Sequence, residues 1–159
     1  MTLSVPAEKI VLCTIVAGCV VMPIFSCSGT RPKNLGIKDL RLAPCPSTPN
    51  CVSSDAADPS HSITAFQLVF PPSDAWRELR AALQSLPRTQ IVTENEHYIH
   101  AECRSAVFGF VDDLELHLRP SENLIAVRSA ARLGRSDFGV NRKRVESLRA
   151  QLARQGAIR

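Results

Sequence analysis

The stretch Asp112-Asp113-Leu114-Glu115-Leu116-His117-Leu118-Arg119 alternates polar and apolar side chains from Asp113 onward. A period of two belongs to a β-strand, whose successive side chains point to opposite faces. Leu114, Leu116 and Leu118 share one face, and Asp113, Glu115, His117 and Arg119 share the other. Pro120-Ser121-Glu122-Asn123 breaks the pattern, and the chain returns as an apolar-patterned strand over 124–130. Pairing Arg119 with Leu124 sets Leu118 against Ile125 and Leu116 against Val127. The same register sets Glu115 opposite Arg128 and Asp113 opposite Ala130. A slip of one residue would put Arg128 among the leucines, so the register is strongly specified.

Working outward, residues 89–94 and 97–105 read as a hairpin around Asn95-Glu96, linked onward by 106–110, where Gly109 permits a bend. Upstream, a short strand over 63–70 is stopped by Pro71-Pro72. A helix follows, with Ser73 or Asp74 as its cap, Trp76, Leu79, Leu83 and Leu86 on one face, and Pro87 at its end. Downstream, a basic loop over 131–136 leads to a helix from about 137 to 153. Phe138, Val145, Leu148 and Leu152 lie along its apolar side, with Arg142, Lys143 and Arg149 mostly outward. The order β-α-β-β-β-β-α predicts a two-layer α+β domain over 63–155. Its antiparallel sheet of about five strands is covered by two helices.

The length of 159 residues suits one such domain. Hydrophobic residues at 45% and charged residues at 21% are globular composition, and 5% aromatic argues against a deep aromatic pocket. The net charge of +4 is uneven. From Arg128 to Arg159, 9 basic residues face only Asp137 and Glu146, whereas the preceding residues are net acidic. That third lacks aromatic interleaving, so nucleic acid is set aside as a partner, and an anionic ligand or an envelope protein is retained.

Residues 1–9 are polar with a positive charge, and Ile10 to Phe25 is a run of 16 residues without a charge. The run is short for a membrane span, which needs about 20 residues, and suits a secretory signal. It ends in Ile24-Phe25-Ser26-Cys27, which resembles a bacterial lipobox, with Phe25 an unusual middle residue. Val16-Ala17-Gly18-Cys19 is a rival, but its apolar stretch is short and its product would begin with six mainly apolar residues. An uncleaved anchor or an ordinary signal peptide is the other alternative. The preferred reading is a signal over 1–26, lipidation at Cys27, and a tether with an irregular cover over 27–62. The chain is then anchored in the cell envelope facing the periplasm. In a Gram-negative cell Ser28 favours the outer membrane.

Cys45-Pro46-Ser47-Thr48-Pro49-Asn50-Cys51 can fold back on itself, and an oxidising compartment makes a Cys45–Cys51 disulfide the expected outcome. Two thiols at this spacing fall short of a metal site, and no metal or cofactor is expected. Cys103 alternates with Ile99 and Ala101 and reads as a buried free thiol.

Three segments together resemble the bacterial domain-of-unknown-function family 1499: residues 42–54, the run Phe110-Val111-Asp112-Asp113-Leu114-Glu115, and residues 127–144, which contain Arg128-Ser129-Ala130-Ala131-Arg132-Leu133-Gly134 and Asp137-Phe138-Gly139-Val140-Asn141. The resemblance spans 35–152. It implies a lipobox followed by a Ser-Gly-Thr-Arg-Pro tether, which supports Cys27 over Cys19. It implies no activity, and a cysteine at 103 departs from the family pattern.

The candidate ligand-binding residues are Asp113, Glu115, Arg128, Arg132, Asp137 and Asn141. Asp113 and Glu115 share a strand face on which Arg128 and Arg132 are their partners, while Asp112 points away. Asn141 lies on the inner side of the last helix and needs a polar partner or a capping role. A helix returning over this end of the hairpin would bring these side chains together. No catalytic residue is assigned: Ser53 and Ser54 lack a Gly-x-Ser-x-Gly elbow. His61, His97, His100 and His117 show no ligand spacing and are expected at the surface or at edges. The preferred function is a non-enzymatic binding or structural module, and the alternative is a small enzyme using Asp113 and Glu115 with nearby arginines.

Overall fold

The computed structural model describes residues 28–159, so the expected signal over 1–26 and the expected lipidation at Cys27 lie outside the described residues. The elements run β1 (Ile37–Lys38), β2 (Arg41–Leu42), β3 (Cys51–Ser53), β4 (Phe66–Gln67), α1 (Pro72–Ser85), β5 (Thr89–Glu94), β6 (Tyr98–Arg104), β7 (Val111–Arg119), β8 (Leu124–Ala131) and α2 (Val140–Arg154). This is an α+β fold with two helices on an antiparallel sheet.

Strands β5 to β8 form a meander, joined in the order β5-β6-β7-β8. The central register is the one the leucines require: Leu116 faces Val127, Leu118 faces Ile125, and Glu115 faces Arg128. A 3-10 turn over Pro120–Glu122 closes that hairpin, and Asn123 completes it at φ +54°, a left-handed conformation that asparagine tolerates well. The far edge of β8 is shared. Residues Cys51–Ser53 of β3 pair with Arg128–Ala130, and β4 pairs with Leu124 and Ile125. From β4 the chain crosses through α1 to β5 at the opposite edge.

The core lies between sheet and helices. Ile99, Ala101, Leu114, Leu116, Ile125 and Val127 meet Leu79, Leu83, Val145, Leu148 and Leu152. Burying each of these leucine, isoleucine and valine side chains contributes about 1.5–3 kcal/mol, so this layer dominates the stability. The chain end joins it, with Ala157 and Ile158 buried and Ile158 bridged to Leu68.

Four local expectations are corrected. The segment read as irregular cover supplies β3 to the sheet and the small β1–β2 hairpin; two- and three-residue strands carry no readable period. Neither Ser73 nor Asp74 caps α1. Pro71 holds that position, and proline follows at the first turn, where no N–H is missed. The last helix begins at Val140, not near Asp137, because Phe138 and Gly139 both take positive φ. Phe138 therefore leaves the apolar stripe and is 90% exposed.

Candidate functional site

Alternation in β6, β7 and β8 sends every second side chain to the face of the sheet away from the helices. That face is charged, yet it is buried. All nine residues of β7 are shielded, with Asp113 1% and Glu115 0% exposed. The shield is the N-terminal segment together with the β1–β2 hairpin, whose Leu42 packs on Tyr98 and Ala126.

Under this cover the carboxylates are bound to cations and donors. Asp113 receives a forked pair from Arg132, Nε to Oδ2 at 2.9 Å and Nη2 to Oδ1 at 2.6 Å. Its Oδ1 also accepts from His100 Nε2 at 2.7 Å, so that nitrogen carries the proton. Arg132 Nη2 reaches Glu102 Oε1 at 2.7 Å, where Arg31 Nη2 also donates at 2.6 Å. Glu115 Oε2 accepts from Arg128 Nη1 at 2.8 Å, and its Oε1 accepts from Tyr98 Oη and from the Gly36 N–H, both at 2.8 Å. At the other end of the strand Arg119 grips Asp55, which also accepts from the Leu42 N–H.

The electrostatics follow from this pairing. Burial pushes the Asp113 carboxyl up, but hydrogen bonds from Arg132 and His100 outweigh it and hold the group below its ordinary value. Glu102 is lowered in the same way by Arg132 and Arg31 against burial, and Asp55 by Arg119 and the Leu42 N–H. Burial, reinforced by Glu115, pushes the Tyr98 hydroxyl up. His117 is lowered by burial and by Arg119, whose Nε donates to its Nδ1.

The six candidate residues do not converge. Asp113, Glu115, Arg128 and Arg132 meet under the cover. Asp137 and Asn141 lie on the helix side, because α2 returns over the opposite face of the sheet. There Gly139 is the N-cap of the helix, and Asp137, two residues earlier, accepts from the Gly139 and Asn141 N–H groups at 3.0 and 2.8 Å, so Asn141 does not cap the helix. Asn141 is fully buried. Its Nδ2 donates to Asn50 O and Asp137, and its Oδ1 accepts from Ser129 Oγ and Arg144 Nη1. Arg144 continues to Asp112 Oδ2 at 2.6 Å. Asp112 points away from Asp113, as its parity requires. Burial raises its carboxyl even though Arg144 pulls the other way.

Histidines 61, 100 and 117 are buried, against the expectation of surface or edge positions. Tyr98, Glu102 and Asp55 were missed altogether. For Tyr98 and Glu102 a signal existed: both share the parity of His100 on a strand paired with β7. Cys45 and Cys51 are disulfide-bonded, and Cys103 is free and buried, with burial pushing its thiol up.

The open surface is elsewhere. A cleft of about 400 Å³ lies between the β6–β7 loop and the β8–α2 loop, lined by Val107, Phe108, Phe110, Leu133, Phe138 and Val140, with Asp112 at its floor. Half of the chain's six phenylalanines gather here, which a low aromatic content did not suggest. Among the described residues no helix is long and apolar enough to cross a membrane.

No curated protein matches the chain. The family described as "Protein of unknown function (DUF1499)" matches residues 41–152, which include β2 to β8 and most of α2, and the chain belongs to that family.

Proposed function

We propose that this chain is a lipid-anchored protein of the bacterial cell envelope whose domain is a non-enzymatic binding module. The observation that carries the non-enzymatic half is the pairing of Glu102, Asp113 and Glu115 with arginines, His100 and Tyr98 beneath the N-terminal cover. A carboxylate gripped by a forked guanidinium is a poor proton acceptor, because protonation breaks a charge-assisted pair. Catalysis by Asp113 and Glu115 would need that grip released and the cover opened. The charged layer instead supports a structural role, and binding falls to the open cleft.

The anchoring half is supported by the uncharged run Ile10 to Phe25, the Ile24-Phe25-Ser26-Cys27 motif and the polar tether that follows. In a bacterial host, labelled fatty acid is expected to enter the protein and to be lost in Cys27→Ser. Label kept in Cys27→Ser but lost in Cys19→Ser would overturn the assignment of Cys27.

One observation favours a second reading, a polar or anionic ligand held beneath the cover. Arg128 Nε is buried without a hydrogen-bond partner. An orphaned buried donor is costly unless water or a ligand meets it. Inorganic phosphate raising the melting temperature of the wild type, and not of Arg128→Met, would support that site; equal responses would exclude it.

A further inference from the structure

Six of the nine large hydrophobic residues exposed among the described residues lie at one end of the domain: Val107, Phe108, Phe110, Leu133, Phe138 and Val140. Val107 is 81% and Phe108 65% exposed, and both sit on the loop between β6 and β7. Phe138 projects from the neighbouring loop at a positive φ and is 90% exposed. A contiguous exposed apolar patch of this kind marks an interaction surface.

The tether reaches the domain at the same place. Gly29 has φ +63°, and a Cβ built on it would fall 2.9 Å from Leu133 Cγ and 3.0 Å from Arg132 Cβ. Arg31 then ties the tether to Glu102. Ser28 and Gly29 directly follow in sequence the residue assigned to the anchor above. On that reading the described chain leaves the anchored side with Gly29 packed beside Leu133 and the apolar loops. Exposed Arg104, Arg135 and Lys143 flank those loops in sequence, which complements anionic lipid headgroups.

We propose that this end of the domain is a membrane-contact face, with Val107, Phe108, Leu133 and Phe138 seated at the headgroup–acyl boundary of the bilayer that holds the anchor. The proposal rests on the anchoring reading above. It fixes an orientation: the sheet stands with the 111 end of β7 toward the lipid and the 119 end away from it.

The chain carries its own control. Its single tryptophan, Trp76, lies by His97, Leu118 and Pro120 at the opposite end of the sheet. The seven residues of β6 separate the two ends by roughly 20 Å. The full chain would be reconstituted into phosphatidylcholine–phosphatidylglycerol vesicles with brominated acyl chains and recovered by flotation. Wild-type emission, from Trp76 alone, is expected to be unaffected by bromine. Phe138→Trp, and independently Phe108→Trp, are expected to add blue-shifted emission that brominated lipid quenches about twofold. Protein that floats while the added emission ignores bromine would overturn the contact face alone, leaving a protein partner or the chain's own leading segment as its occupant. Equal quenching of the wild type would overturn the orientation. Protein that fails to float would overturn the anchoring and the contact face together.

Discussion

Glu115 and Arg128 face each other across the β7–β8 ladder, joined Oε2 to Nη1 at 2.8 Å, with both side chains almost entirely out of water. Leucine alternation sets the register, and the register makes the ion pair. Buried pairs of this kind contribute little net free energy when intact, yet removing one partner strands a charge. Arg128→Met and Glu115→Gln are each expected to destabilise by about 3–5 kcal/mol. The double substitution should cost well below the sum. Urea unfolding of the four proteins measures this. Additive losses below about 1 kcal/mol would match a solvated surface pair and contradict the burial.

Arg132 is expected to resist conservative replacement. Its guanidinium spans both oxygens of Asp113 and also reaches Glu102, a geometry lysine cannot reproduce. Arg132→Lys should therefore destabilise by roughly 2 kcal/mol although the charge is kept. A melting curve superimposable on the wild type would show that charge alone suffices.

Acid should unfold the domain through the covered face. Asp55, Glu102 and Asp113 have carboxyls held below their ordinary values by arginine partners that outweigh burial. The unfolded chain thus binds these protons more tightly than the folded one. Their stabilisation is complete above the unfolded values of 3.8 for aspartate and 4.5 for glutamate, and is lost as pH falls through the folded values. His61 has the opposite sign. Its hydrogen bond to Asp58 is the main cause that raises it above 6.5, so its contribution is present below 6.5 and fades as pH rises through the folded value. Melting temperatures between pH 3 and 8 should fall at the acid end, less steeply in Asp113→Asn. His61→Gln should flatten the decline on the alkaline side. Profiles unchanged by either substitution would contradict these assignments.

The Cys45–Cys51 loop is short, so its disulfide is expected to add only about 2 kcal/mol on the chain-entropy view. Peptide mapping without reduction should recover the linked pair. Cys103 should stay unreactive toward thiol reagents until the fold opens, because its sulfur is buried and its thiol is pushed up. Rapid labelling of Cys103 in the native protein would mean that the β6 face breathes.

The meander was legible because a period of two, repeated over Leu114, Leu116 and Leu118, admits one pairing. The rest of the sheet was not, since Cys51–Ser53 and Phe66–Gln67 are too short to show any period. What covers the second face was not legible. Charges alternating with leucines ordinarily mean one wet side, as in most antiparallel sheets. Here residues 31–42 return over Glu102, Asp113 and Glu115, and nothing in β7 announces a cover supplied some 80 positions earlier. Asp137 and Asn141 were grouped with Arg128 because sequence leaves open which face α2 covers. Phe138 was drawn into the helix by its spacing from Val145, whereas Gly139 ends that pattern.

A strand sheltered on both sides is usually a continuous apolar run, and such a run is hazardous while a chain is still unfolded. Strand β7 avoids this. Its nine residues, all hidden in the fold, include Asp112, Asp113, Glu115 and Arg119. Spelled out as an extended segment, it offers no window of low charge and high β propensity from which aggregates start. The ions that need partners in the finished domain thus act as gatekeepers before it exists. In a chain that crosses a membrane unfolded, as the proposed anchoring requires, the same residues would serve solubility first and architecture afterwards.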